Sequence, residues 1–240
     1  MTTPQSDADP SAGASRIIVA LDVPSVAEAE AAAMALRGHV GVFKIGLQLI
    51  TVGGAELAAR LAADGAAVFL DLKFHDIGAT VEKAVRSAST LKPAFLTVHA
   101  EPQVMEAAVQ GRSAGVRVLA VTVLTSLGGD PTEIRDTALR RAEAAARAGC
   151  DGVVASPLEA ADLRARFGGD LLIVTPGVRP KAAAPLSASD DQRRVATPGD
   201  AIRAGADYLV VGRPILSAPS PVSAAQSIAQ DIEDALAGGA

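Results

Sequence analysis

Asp71 and Lys73 stand two residues apart in an otherwise apolar run, Ala67-Val68-Phe69-Leu70-Asp71-Leu72-Lys73. Alternate side chains of a strand share a face, so this spacing sets a carboxylate beside an ammonium. Opposite charges held that close keep each other ionised. Two more charges end earlier apolar runs: Asp22 closes 17–22, and Lys44 lies in 42–45. If those ends adjoin, four charges of alternating sign share one small volume. A buried salt-bridge network that only closes the top of the fold is the competing explanation of the same four residues.

A second cluster suits a phosphate. Gly177-Val178-Arg179 and Gly212-Arg213 follow the last two apolar runs. Glycine turns expose backbone N–H groups, and arginine adds a bidentate contact. Either pair alone is equally an ordinary turn with a solvated arginine. Thr125 and Ser126 follow the fifth run. Of the three histidines, His99 ends the fourth run and reads as structural, near a rim, rather than as an acid or base. His39 precedes the second run, at the end opposite the charges, and His75 sits among them with its role open.

These residues need a frame that gathers strand ends. From Arg16 onward short aliphatic runs alternate with Ala-rich stretches at helical spacing. The strands are expected at 17–22, 42–45, 67–73, 95–99, 117–123, 152–155, 171–175 and 208–212. The helices are expected at 25–37, 54–63, 80–89, 103–111, 134–148, 157–166, 198–204 and 223–237, with Gly65, Gly149 and Gly205 as stops. Nearly continuous apolar strands imply a parallel sheet covered on both faces. Eight strand–helix units fit a single eight-stranded parallel (β/α)8 barrel, a TIM barrel, whose site lies at the C-terminal strand ends. A doubly wound open sheet is the alternative, because a count does not establish closure. The barrel is expected to span 16–240, with 1–15 as a disordered N-terminal tail. The longest irregular stretch, 177–198, has a length that in a compact domain marks either a functional loop or a disordered one.

Composition agrees with that frame. The chain has 240 residues with 49% hydrophobic but only 2% aromatic, so its core must be aliphatic. The net charge of −5 and the lack of like-charge blocks argue against a nucleic-acid partner. The single cysteine, Cys150, reads as a small buried residue at the start of a strand. Residues 1–15 lack the basic and apolar features of a targeting peptide, and no apolar stretch is long enough for a membrane helix. The expected location is therefore cytoplasmic.

The string Asp71-Leu72-Lys73-Phe74-His75-Asp76-Ile77 closely resembles the D-x-K-x-x-D signature of bacterial-type orotidine 5'-phosphate decarboxylases. The resemblance extends along the chain after residue 15. It includes Ala20-Leu21-Asp22, Phe43-Lys44-Ile45-Gly46, Thr97-Val98-His99-Ala100 and Val123-Leu124-Thr125-Ser126. It continues in Thr175-Pro176-Gly177-Val178-Arg179-Pro180, Asp191-Gln192-Arg193-Arg194 and Val211-Gly212-Arg213-Pro214.

What the resemblance implies is a decarboxylation yielding uridine 5'-phosphate in pyrimidine biosynthesis, with neither metal nor organic cofactor. Lys73 would protonate C6 of the pyrimidine, Asp71 would face the substrate carboxylate, and Lys44 would complete the array and touch the ribose. Asp22 would hold a ribose hydroxyl, and Thr125 would lie by the base. Asp76, Ile77 and Thr80 would contact substrate, with Asp76 and Thr80 serving a partner's site in a homodimer. Gln192, Gly212, Arg213 and Arg179 would hold the phosphate. Two features depart from the family pattern: Gly78-Ala79 stands where many bacterial relatives have Pro-Asn, and the stretch 179–192 is longer than usual.

Two other functions compete. A sugar-phosphate decarboxylase or aldolase of the same superfamily shares the D-x-K-x-x-D string but needs a divalent metal, held by a carboxylate where this chain has Lys44. A non-catalytic phosphate-binding barrel would use the same charges for recognition alone.

Overall fold

Caps and prolines divide the chain more sharply than apolar periodicity does. In the computed structural model, which describes residues 10–124, 128–180 and 196–238, the Ser25 hydroxyl accepts from the Glu28 N–H and starts α1 (Val26–Leu36). Two short turns, α2 (Leu47–Leu49) and a wide turn at Ile50–Gly54, lead into α3 (Ala55–Ala63). Then come α4 (Gly78–Ser89) and α5 (Pro102–Gly111). Asp130 caps α6 (Pro131–Ala148) through the N–H groups of Thr132 and Glu133, and Gly149 ends it at φ +81°. The remaining helices are α7 (Ala160–Phe167), α8 (Pro198–Arg203), α9 (Arg213–Leu216) and α10 (Pro221–Ala237). Where proline opens a helix, at Pro102, Pro131 and Pro221, the helix begins one to three residues before the expected start. Proline lacks only an N–H that the first turn leaves unpaired anyway, so it fits the first helical position.

The eight strands are β1 (Ile17–Ala20), β2 (Val42–Gly46), β3 (Ala67–Phe74), β4 (Phe95–His99), β5 (Arg117–Val121), β6 (Gly152–Val154), β7 (Leu172–Thr175) and β8 (Tyr208–Val211). Each pairs in parallel with the next, and β8 pairs with β1, closing the barrel. Closure settles the choice against an open doubly wound sheet.

Alternation sorts the strand residues into two cores. One face of each strand meets the helices, with Ile17, Val19, Phe43, Ile45, Leu96 and Ile173 in that layer. The other face fills the barrel, where Ile18, Val42, Phe69, Phe95, Leu119 and Val174 pack together. Three of the aromatics meet inside: Phe95 packs against Phe69 and Tyr208 edge-on at 5.9 and 5.2 Å between ring centres. Cys150 is buried and free, and burial first, with Asp151 adding to it, pushes its thiol up to about 12.

The tail expectation fails for the described part of 1–15. From Pro10 the chain folds back onto α10, where the Ser11 hydroxyl and the Gly13 N–H both donate to Glu233, and Ala14 is buried in a 3-10 turn, Ala14–Arg16. The Glu233 carboxylate, buried Ala14 and buried Gly13, which packs against the Ala229 backbone of α10, anchor it. Among the described residues, no helix is long and apolar enough to cross a membrane.

Candidate active site

One step of two residues turns the barrel interior from apolar to polar. Val42 is followed by Lys44, Phe69 by Asp71 and Phe95 by Thr97. Their strands are neighbours, with Lys44 opposite Phe69 and Ala20 opposite Lys44 in the ladder. The polar layer therefore sits above a filled core and below a cavity of about 870 Å³ at the C-terminal strand ends. Phe69, Val121, Val154 and Val210 form its apolar floor. That size and mixed lining suit a small ligand with an apolar ring and a few convergent polar groups.

The four charges singled out from spacing meet on one wall. Lys44 Nζ lies 3.1 Å from Asp22 Oδ1 and 3.5 Å from Asp71 Oδ2, and Lys73 Nζ lies 2.7 Å from Asp71 Oδ1. Lys44 is 6% exposed, whereas the Asp22 side chain is open to the cavity mouth. Burial alone would raise the Asp71 carboxyl. The Lys44 and Lys73 ammonium groups, with hydrogen bonds from Lys73 and Thr97, outweigh it and hold Asp71 below its usual range.

The local backbone differs from the reading that brought Asp71 and Lys73 together. Leu70 pairs with Leu96, but the next matched pair is Phe74 with Val98, so β3 carries two extra residues. Lys73 has φ +50°, uncommon for a side chain with a Cβ. Its N–H donates to the Thr97 hydroxyl at 3.0 Å, and that hydroxyl donates to Asp71 Oδ1 at 2.9 Å. The contact between Asp71 and Lys73 thus arises across a bulge, not from regular pleating.

The phosphate candidates follow β7 and β8, the latter paired with β1. Arg179, Gly212 and Arg213 all line the cavity. Gly177 turns at φ +80°, and Val178 pairs with Ala196, returning the chain to the cavity rim. Thr125 and Gln192 lie outside the described residues.

Asp76, Ile77 and Thr80 do not line this chain's own cavity. All three are exposed, Ile77 at 67%. Asp76 Oδ1 accepts from the Ile77 N–H at 2.7 Å, and Gly78 and Ala79 simply open α4, with Thr80 in its first turn. His99 is likewise off the cavity, its ring 5.0 Å from that of His75.

Two residues near the array were given no role from sequence. Thr97 is fully buried beneath Asp71, and a threonine within a strand reads as a strand former. Gly46 lines the cavity so closely that a Cβ there would lie 3.1 Å from both Asp22 Oδ1 and Lys44 Nζ. A glycine just after a strand reads as a turn.

Residues 15–228 match the profile of the orotidine 5'-phosphate decarboxylase / HUMPS family. A protein of Methylorubrum extorquens named orotidine 5'-phosphate decarboxylase is 51% identical over 227 residues, covering 92% of this chain and 96% of that one. A protein of the same name from Methylobacterium radiotolerans is 53% identical over 224 residues, covering 90% and 96%. Among solved structures, orotidine 5'-phosphate decarboxylase from Lactobacillus acidophilus superposes with a TM-score of 0.77 at 33% identity, covering 90% of this chain and 98% of that one.

Proposed function

The chain belongs to the orotidine 5'-phosphate decarboxylase / HUMPS family, and from that premise we propose that it converts orotidine 5'-phosphate to uridine 5'-phosphate and CO2. The observation that carries this reading is the Asp22, Lys44, Asp71, Lys73 array on the cavity wall. The setting is pyrimidine biosynthesis in the cytoplasm.

The chemistry follows from the array. When the C6–carboxylate bond breaks, its electron pair stays on C6 in an orbital in the ring plane, which the ring cannot delocalise. The Lys73 ammonium stabilises that charge as it develops and then gives C6 its proton. Lys73 is left neutral and regains a proton from solvent, which reaches its partly exposed side chain. Asp71, held ionised by its two lysines, faces the departing carboxylate, so the repulsion is relieved as CO2 forms. Lys44 and Asp22 hold the ribose, and Thr125 lies by the base. Arg179, Gln192, Gly212 and Arg213 hold the phosphate, whose binding lowers the barrier from a distance.

Asp76, Ile77 and Thr80 contact the substrate of a partner subunit. Their exposure outside the chain's own cavity supports a homodimer with shared sites. The metal-dependent sugar-phosphate reading is disfavoured by Lys44, whose ammonium lies between the Asp22 and Asp71 carboxylates, where it would repel a divalent cation.

A spectrophotometric assay of the purified protein on orotidine 5'-phosphate, with and without EDTA, tests the proposal. Turnover unaffected by EDTA is expected. Turnover lost to EDTA and restored by Mg2+ would favour the sugar-phosphate reading, and nucleotide binding without CO2 release would favour a non-catalytic barrel.

A further inference from the structure

One hydroxyl holds both halves of the Asp71 and Lys73 pair. Thr97 lies two residues beyond Phe95 on β4, fully buried, with no atom on the cavity wall. It cannot touch a bound molecule. Yet its Oγ1 accepts from the Lys73 N–H at 3.0 Å and donates to Asp71 Oδ1 at 2.9 Å. A threonine hydroxyl has one proton to donate, so donating to Asp71 and accepting from Lys73 fixes its rotor.

Each bond answers a local need. The β3–β4 ladder has no matched pair between Leu70–Leu96 and Phe74–Val98, so Lys73 lies in the unmatched stretch. Its backbone sits at φ +50°, a conformation that persists only when surrounding contacts over-determine it. The Thr97 oxygen supplies the acceptor there. The donated proton goes to Oδ1, the same oxygen that meets Lys73 Nζ, while Oδ2 faces Lys44. The two carboxylate oxygens are thereby assigned to different lysines.

We propose that Thr97 is a positioning residue, which sets the backbone of Lys73 and the rotation of the Asp71 carboxylate so that the ammonium points at the reacting carbon. The claim rests on the decarboxylase reading for its kinetic consequence but not for its structural one. The competing role, a β-branched residue that merely packs in a strand, is equally served by valine.

Thr97→Val keeps the shape and removes the hydroxyl. On orotidine 5'-phosphate, kcat is expected to fall by about tenfold or more, since small displacements of a catalytic group are costly. KM and uridine 5'-phosphate affinity should stay within about threefold, because nothing that touches the nucleotide is removed. Thr97→Ser, which retains the hydroxyl, should recover kcat to within about threefold of wild type. A substrate-free crystal structure of Thr97→Val should show Lys73 leaving positive φ or its Nζ leaving hydrogen-bond reach of Asp71. If Thr97→Val does not fold, the shape-matched Thr97→Ser and Thr97→Cys pair poses the same question, with the cysteine expected to be the slower. A valine variant with unchanged kcat, or one whose Lys73 keeps both its φ and its contact to Asp71, overturns the proposal. A wild-type protein inactive on orotidine 5'-phosphate would sink the functional reading instead, and the crystal structures would still decide the role of Thr97.

Discussion

The Lys73 ammonium lies 2.7 Å from Asp71 Oδ1 although the strand between them is irregular and Lys73 itself stands at φ +50°. In a regular strand two residues apart on one face diverge only as far as the pleat lets them. Here two extra residues in β3 bend the chain, and the Thr97 hydroxyl catches the displaced N–H. The pair is therefore held by β4 as much as by β3, and the acid–base geometry depends on contacts that no periodicity describes.

Gly46→Ala probes the other end of the array. The backbone at Gly46 has φ −101°, open to any residue, so no strain arises from conformation. The added methyl would sit 3.1 Å from Asp22 Oδ1 and Lys44 Nζ, forcing the two apart by a few tenths of an ångström. The variant should fold normally while kcat/KM falls by about tenfold. Steady-state kinetics and a thermal melt check this. Unchanged kinetics would mean that the spacing of Asp22 and Lys44 is not used.

His99 should make the fold sensitive to mild acid. Burial, then the nearby His75, Lys73 and Arg141, lower its pKa below 6.5, against a smaller opposing effect of Glu101. The unfolded chain then binds a proton that the folded chain resists, so stability present above pH 6.5 is lost as pH falls through the lowered value. Urea unfolding near pH 7.5 and 5.5 should show a smaller loss for His99→Gln than for wild type. Equal losses would assign the acid sensitivity to other groups.

The element succession was legible because the longer helical patterns and the short aliphatic runs have distinct periods, and Ser25 and Gly149 sit where helices begin and end. Strand ends were drawn too long at Asp22 and Val123, since side-chain chemistry continues past the last ladder bond. The turns α2 and α9 carry the chain around the cavity in three and four residues, too few to show a period. On the cavity wall, Lys44 and Asp71 were legible because buried charge is costly, and Asp22 and Lys73 because a charge stands out in or at the end of an apolar run. Thr97 and Gly46 were not, because a buried threonine and a glycine at a strand end have ordinary structural uses. Their roles exist only once β1, β2, β3 and β4 are side by side.

A shared site predicts complementation between two inactive variants. Lys73→Ala damages a chain's own cavity, whereas Asp76→Ala would damage the partner's, since exposed Asp76 lies off its own cavity wall. In a heterodimer one site then carries both lesions and the other neither. Random subunit exchange should restore about a quarter of wild-type activity, as dimer statistics require. Continued inactivity after exchange shown by mass-tagged subunits would count against sharing.

The kinetics of Lys73→Ala test the central claim most directly. If Lys73 stabilises and protonates the C6 carbanion, it acts on charge that exists mainly in the transition state, so its loss belongs in kcat. On orotidine 5'-phosphate, kcat should drop by about 10³-fold or more, with uridine 5'-phosphate affinity, measured by calorimetry, kept within about tenfold. A Lys73→Ala enzyme that decarboxylates within about tenfold of wild type would contradict the account, because no ammonium at that position would then be needed.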